Sequence, residues 1–569
     1  MNYLKRVTER IKKYYIYLIF MILSSIRLII GNGIHYTVYS SQYYDDQLLI
    51  RYAFLKYHFT SPNDNSLVKN MSYSFFLWLN GKSHLPISLT MSLIWIAVAI
   101  VGYLTLKKIS TNKFFLICLF GYLAFFPSAF DDFLGVRIYR EMIIIPAVFF
   151  LIFGLLNLIF ISFSKEEKGT LKLLIWSFFT GFSLLFAFYI KESGLWMLLL
   201  CLLVSFILLA REIFLFLRNK QKNRISSLVF SLIVLLLPLG IYQAGTEAYK
   251  TINDHYFGVY EINTRTEGEV GKFVNNLYKI DANNRSASVW APPAAVEKAF
   301  AVSPTLRSIP TLKNNILHAD WSGETYDGMT AGDFLTWILR IAVVKSTGNW
   351  NEAKEEAFFK KVNNEIDVAF RTNELQRPKG RYQIVSSTGG YTINEIKKLP
   401  PITLAVLRND FFMYGYKYTN SLGDVAPNVF PGNVANILNV KPLNNGDMSG
   451  KNVPLYNHLI KLYQLINPIL LVIAFLSLVL DFIKSIRKRQ FSLYGITSFT
   501  LLAGGVVLSF ALSWFIYFLI VNRGADFGVR SLTMFYGVDA SPLLICGILI
   551  PIALLFNLDF INKRKRVLK

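Results

Sequence analysis

Met142 to Phe163 reads MIIIPAVFFLIFGLLNLIFISF. No charge interrupts it, and apolar side chains occupy every face that a helix would present. A helix of this length rises about 33 Å, enough to cross a bilayer core of about 30 Å. A run apolar on all sides belongs inside a bundle or in lipid rather than on a water-facing surface.

The rest of the chain repeats this pattern. Of its 569 residues 53% are hydrophobic and 15% aromatic, and the mean hydropathy is +0.40. Soluble proteins average about 45–50% apolar. Ten spans are expected, at 14–31, 85–106, 113–130, 142–163, 171–190, 193–210, 225–244, 458–482, 491–521 and 541–558. The span at 491–521 is long for one helix and contains Gly504 and Gly505, so a tilted or kinked helix is expected. The first follows Lys5, Arg6, Arg10, Lys12 and Lys13, with no A-x-A-like cleavage site behind it, and reads as an uncleaved anchor.

The net charge is +23. Much of it lies in short segments between apolar runs, which points to membrane orientation and away from nucleic acid. With a cytoplasmic N-terminus, the cytoplasmic segments carry Lys107, Lys108 and Lys113; Lys165, Lys168 and Lys172; Arg211, Arg218, Lys220, Lys222 and Arg224; Lys484, Arg487, Lys488 and Arg489; and the tail Lys563 to Arg566. Both termini are therefore expected inside. The chain divides into a membrane region 1–244 with seven spans, an extracytoplasmic domain 245–457, and a second membrane region 458–569 with three spans. That polar domain is expected to be mixed but mainly helical. Cys118, Cys201 and Cys546 all lie in apolar runs, so no disulfide framework is available.

Charges gather where spans end on the outer side. YYDDQLLIRYAFLKYH, Tyr43 to His58, has a loosely helical apolar face and reads as an interfacial helix begun by Asp45 and Asp46. A carboxylate at a helix start is also favoured by the helix dipole, which accounts for one aspartate better than for two. FDDFLGVRIYREMIIIP, Phe130 to Pro146, brings Asp131, Asp132, Arg137, Arg140 and Glu141. Arg137 and Arg140, three apart, would share a helix face, and arginine forks match phosphate oxygens. The fifth turn contributes Lys191 and Glu192; the last contributes Arg523, Arg530 and Asp539. Each also has a plain reading as a snorkelling, capping or solvated charge. Charges deep within spans are scarce; Arg27 lies furthest in, toward the outer end of the first span. Such a distribution favours chemistry at the interface over transport through the middle.

An aspartate-bearing first outer loop, many spans and a large outer domain resemble the GT-C superfamily of membrane glycosyltransferases. YYDDQLLIRYAF looks like their first-loop acidic motif, although no WWD-like signature of the oligosaccharyltransferase kind is present. The stretches GVRIYREMIIIP, YIKESGLWML and WILRIAVVKSTGNWNEAKEEAFFKKVNNEIDVAF are similar to those of a largely uncharacterised family of bacterial multi-pass membrane proteins. The resemblance implies transfer of a sugar from a polyprenyl-phosphate donor to a cell-envelope glycan or glycolipid acceptor, at the outer face of the bacterial cytoplasmic membrane. Asp45 or Asp46 would be the base, and Asp131 and Asp132, with Glu141 beside them, a second acidic site. Arg137, Arg140 and Lys191, with Arg523 and Arg530, would hold phosphate, with Glu192 and Asp539 as further outer-face candidates. Adjacent carboxylates could hold Mg²⁺ or Mn²⁺; the resemblance leaves the metal unassigned. The alternatives are a polysaccharide polymerase or ligase, a lipid-linked sugar flippase or other transporter, and a non-catalytic assembly partner.

Overall fold

The run that opens the sequence reading is one helix, Glu141–Phe163, of 23 residues, and 89% of its most apolar window is buried. It is the centre of the membrane region. In the computed structural model, residues 2–34, 36, 43–54, 65–164, 169–219, 225–319, 330–383, 388–419 and 452–567 are described. In chain order the first helices are α1 (Asn2–Asn32), α2 (Tyr43–Phe54), α3 (Ser72–Ser83), α4 (Ile87–Leu106), α5 (Lys113–Ala124), α6 (Glu141–Phe163), α7 (Thr170–Phe188), α8 (Leu195–Asn219) and α9 (Ile225–Phe257). The polar region adds α10 (Gly268–Lys279), α11 (Pro293–Val302), α12 (Pro304–Arg307), α13 (Leu312–Leu317), α14 (Leu335–Thr347), α15 (Glu352–Arg371), α16 (Ile393–Ile396) and α17 (Leu399–Phe412). The last four are α18 (Val453–Lys488), α19 (Leu493–Phe527), α20 (Val529–Gly537) and α21 (Ser541–Val567).

Among the described residues, nine helical stretches are long and apolar enough to cross a membrane, by length and composition. The chain is a polytopic helical membrane protein. Ten spans were expected. The tenth, 113–130, falls below that length because α5 has only 12 residues before a 3₁₀ turn at Pro127–Ala129, and its apolar run continues through that turn. At 1.5 Å per residue such a helix rises about 18 Å, short of the bilayer core. The long run at 491–521 is a single helix, α19. The seventh span's helix, α9, continues to Phe257, past the expected boundary at 244.

Lipid has no hydrophobic preference for one apolar helix over another, so close packing and hydrogen bonds must select the contacts. Small residues provide both. A Cβ on Gly102 of α4 would stand 2.3 Å from Leu123 Cδ1 and 3.0 Å from Phe153, so α5 and α6 close on that point. Asn157 of α6 donates to Thr105 Oγ1 of α4 at 2.7 Å. Ser477 of α18 and Ser498 of α19 each donate to carbonyls of α21, those of Pro551 and Gly547, at 2.6 Å. Exposed apolar side chains such as Phe206 on α8 and Phe475 on α18 mark the surface that lipid covers.

The polar region has its own core, with Phe273 of α10 stacked on Phe359 of α15, and Val362 and Ile366 beside them. Among the described residues it is helical with one isolated bridge, Tyr382 to Tyr391, rather than mixed. Gly348 takes φ +84 and ends α14, a conformation glycine adopts without strain. This core also takes in the end of α19. Trp290 packs on Phe518 with ring centroids 4.7 Å apart, and Tyr391 donates to the Trp514 carbonyl at 2.7 Å. Trp290 and Trp350 are buried, Trp350 under the Arg340 guanidinium at 3.9 Å.

Gly102→Val overpacks the α4–α5–α6 junction, a change that costs about 1–3 kcal/mol. The detergent-solubilised variant is expected to melt below wild type, whereas Gly504→Val, with nothing within 4 Å of its Cβ position, is expected to match wild type.

Candidate functional site

Three elements bring charge to one end of the helical bundle. The first is α2. Leu49 and Ile50 are buried in the membrane-region core and Leu48 and Tyr52 pack on Val68 and Trp337, so α2 is an interior element and not the surface helix expected. Asp45 and Asp46 lie in its first turn. Residues 66–69, just beyond, are clamped: Arg340, fully buried, donates to the Ser66 carbonyl at 2.7 Å and pairs with Glu352 at 2.9 Å. Thr264 N–H reaches the Leu67 carbonyl at 2.9 Å and Asn263 the Val68 carbonyl at 3.1 Å. This clamp delivers Lys69 to Asp45 at 3.1 Å.

The second element is 131–141. Asp131 caps a π-helical turn, Asp132–Val136, accepting from Phe133 and Leu134 N–H, both at 3.0 Å. A Cβ on Gly135 would stand 2.0 Å from the Ser128 carbonyl oxygen, so only glycine closes this turn. The turn ends with Arg137 extended. Arg137 and Arg140 therefore do not share a helix face as expected. Arg137 turns to Asp46 with both prongs of its fork, Nε at 3.0 Å and Nη2 closer still. Arg140, at the start of α6, pairs with Glu192 at 2.6 Å. Between them stands Tyr139, its ring 4.3 Å from the Arg137 guanidinium carbon and 5.0 Å from that of Arg140. The Tyr139 hydroxyl accepts from Arg140 at 2.8 Å and donates to Asp45 at 3.0 Å.

The third element is the turn between α7 and α8. Lys191 sits between Glu141 and Asp539, 2.9 Å from each, and Ser193 donates to Asp539 at 3.1 Å. Glu192 also faces Arg265 at 3.4 Å, and Arg265 reaches Asp333 at 3.2 Å. Buried charges persist only when paired, and here each charge is matched in turn.

The structure thus gathers Asp45, Asp46, Arg137, Arg140, Glu141, Lys191, Glu192 and Asp539. Of the cations assigned to phosphate, Arg137, Arg140 and Lys191 have carboxylate partners, so an arriving phosphate would meet partly neutralised groups. Asp45 differs from the rest. Its side chain keeps 34% of its surface open, against 0% for Asp46, 1% for Glu141 and Asp539, and 17% for Glu192. Burial raises the pKa of Asp45, but Lys69, Arg140 and Arg265 outweigh it and hold the carboxyl below its ordinary range. Glu192 is likewise held low: burial opposes, and Arg140, Arg265 and Lys69 prevail. Burial lowers Lys191, yet Asp539 and Glu141 together keep it above the usual lysine value.

Asp131 and Asp132 meet hydrogen-bond donors instead of cations. Asp131 accepts from Lys417 N–H at 2.8 Å, and Asp132 from Thr419 N–H at 2.7 Å and Thr419 Oγ1 at 2.5 Å. They fasten the backbone of 417–419 to the membrane region. Burial pushes them up to about 7 and about 6, against the pull of those donors. Arg530 donates to the Tyr414 carbonyl and lies over its ring, apart from the network; the side chain of Arg523 lies outside the described residues.

Asp45 and Asp46 diverge, one to Lys69 and Tyr139, the other to Arg137, which leaves no shared set of oxygens for a divalent cation. Among the described residues no three His, Cys, Asp or Glu side chains gather around a common point. Lys69, Tyr139, Arg265 and Asp333 escaped the sequence reading. So did Asp410, buried near Asp539 and raised well above the carboxylate range by burial and by that neighbour. Comparison with protein-family models, with curated proteins and with solved structures found no match to this chain.

Removing one partner of a buried pair costs about 3–5 kcal/mol, so Asp46→Asn and Arg137→Gln should each lower the melting temperature sharply. The double variant should lose less than the sum of the two, the sign of direct coupling. For Glu192 the folded pKa lies below its unfolded value of about 4.3, so its contribution is present above that pH and fades as pH falls through the lower folded value. Glu192→Gln is expected to melt below wild type at pH 7, and the gap to shrink below about pH 4 in a pH series of melting curves.

Proposed function

We propose that this chain is a GT-C-like glycosyltransferase. It moves a sugar from a polyprenyl-phosphate donor to a cell-envelope glycan at the extracytoplasmic face of a bacterial cytoplasmic membrane. The observation that carries the reading is Asp45: an ionised, partly open carboxylate oriented by Lys69 and Tyr139, at one end of the helical bundle and beside a row of fixed cations. A base so placed accepts the proton of an acceptor hydroxyl as that oxygen bonds to the anomeric carbon. The bond from the anomeric carbon to the phosphate oxygen breaks, and the polyprenyl phosphate leaves with the electron pair. General-base assistance contributes about 10²–10⁴-fold.

In this scheme Asp46 is a positioning residue, since Arg137 occupies it and sets the orientation of α2's first turn. Arg140 is shared between Glu192 and Tyr139 and joins the Asp45 hydrogen-bond chain through the Tyr139 hydroxyl, which makes it the cation of this scheme that meets the departing phosphate. A lipid-borne donor also requires an apolar path. A groove of about 390 Å³, lined by Pro400, Leu404, Leu407, Val506, Val507 and Phe510, runs between α17 and α19 and fits that need.

The test is linkage analysis of the envelope glycans of a deletion strain, complemented at matched membrane levels of protein. Wild type is expected to restore a sugar that the deletion lacks. Asp45→Asn is expected to accumulate normally and restore none of it. Restoration by Asp45→Asn would remove the base assignment, and an unchanged glycan in the deletion strain would remove the transferase reading.

A further inference from the structure

Arg27 stands apart from the paired charges. It lies on α1, five residues before Asn32, about 7.5 Å from the helix end. It is fully buried, and none of its three guanidinium nitrogens has a hydrogen-bond partner among the described residues. An arginine remains charged in proteins, so this position lacks the counter-charge that every cation of the network has.

Its surroundings are aromatic. The guanidinium lies 5.0 Å from the Phe130 ring centroid, and Phe130 stacks on Tyr456 at 5.5 Å. Tyr456 donates its hydroxyl proton to the Ile30 carbonyl at 3.0 Å, and Tyr463 donates to the Tyr122 carbonyl at 2.7 Å. These rings offer quadrupoles and lone pairs but no negative charge. Asp131 and Asp132 follow Phe130 directly, yet both are turned to N–H groups of 133, 134, 417 and 419. Gly31 lets Arg27 and Ser92 close on α1: a Cβ there would stand 2.0 Å from Ser92 Oγ and 2.6 Å from Arg27 Nη1.

We infer that Arg27 is the receptor for a phosphate-bearing anion at the rim of the membrane, bound by the unoccupied fork of its guanidinium. Five N–H donors in a plane match phosphate oxygens two at a time. The depth suits it as well, because lipid phosphates lie just beyond the roughly 30 Å hydrocarbon core and an arginine near a helix end reaches that level. The other face of α1 is exposed at Met21, Ile22, Ile26 and Ile29, so lipid borders the helix. The anion is the phosphate of a net anionic lipid headgroup, one with no ammonium of its own to neutralise it, or free phosphate; the chemistry at Arg27 is the same. This inference is independent of the transferase reading.

The test compares full-length wild type, Arg27→Lys and Arg27→Met. One arm adds inorganic phosphate to detergent-solubilised protein at matched ionic strength. The other places the protein in nanodiscs of phosphatidylcholine with or without phosphatidylglycerol. The site is supported if either addition raises the wild-type melting temperature by at least about 2 °C, with a smaller rise in Arg27→Lys and none in Arg27→Met. A rise with phosphate identifies the free ion, and a rise confined to phosphatidylglycerol discs identifies the headgroup. The inference is overturned if neither addition shifts wild type, or if Arg27→Met shifts equally. Should Arg27→Met fail to accumulate, native mass spectrometry of wild type and Arg27→Lys decides. A bound phosphate-bearing mass weakened in Arg27→Lys supports the site, and equal or absent retention overturns it.

Discussion

The ion pair between Asp46 and Arg137 is the contact on which the rest of the site depends. Both side chains are almost wholly buried, where an unpaired charge is strongly disfavoured. The pair therefore admits one placement of α2 against the start of α6. With α2 so placed, Asp45 meets Tyr139 and Lys69, and Tyr139 in turn meets Arg140. Each later contact assumes the earlier one. The specificity of the arrangement comes from charge satisfaction, since apolar packing alone would tolerate a rotated helix.

That charge cluster needs a rigid frame. The frame is α6, enclosed on nearly all sides, with α4 and α5 closing on Gly102 and α21 tied by the Ser477 and Ser498 hydroxyls. Close backbone approach replaces the hydrophobic drive that a soluble core would have. The polar region completes the frame from the opposite side, because the Arg340–Glu352 pair positions the segment bearing Lys69.

Much of this was legible in the sequence. Runs without charge announced the spans, and charges at their ends announced Arg137, Arg140, Lys191, Glu192 and Asp539. The two Asp-Asp pairs were not separable: Asp45–Asp46 and Asp131–Asp132 carry the same letters, yet one pair meets cations and the other meets backbone N–H groups. Helical spacing misled at Arg137 and Arg140 because the Asp131 cap ends its turn early and leaves Arg137 extended. Lys69 and Arg265 sit in ordinary polar surroundings, and only contacts between distant parts of the chain bring them to the site. The early end of α5 at Ala124 was not legible, because composition carries no signal of where a helix stops when the next residues are equally apolar.

The chain positions of these charges allow most of the pairs to form early in synthesis. Asp46 and Arg137, Arg140 and Glu192, and Glu141 and Lys191 all lie within the first 192 residues. The N-terminal helices can therefore neutralise one another before the ribosome has made the polar region. Asp539 arrives last, as a second acceptor on a lysine that already has one, and the clasp of Asp131 and Asp132 waits for residues 417–419. The C-terminal helices can then dock onto a nascent half in which these pairs are already made, so that their own contribution closes the ring instead of nucleating it.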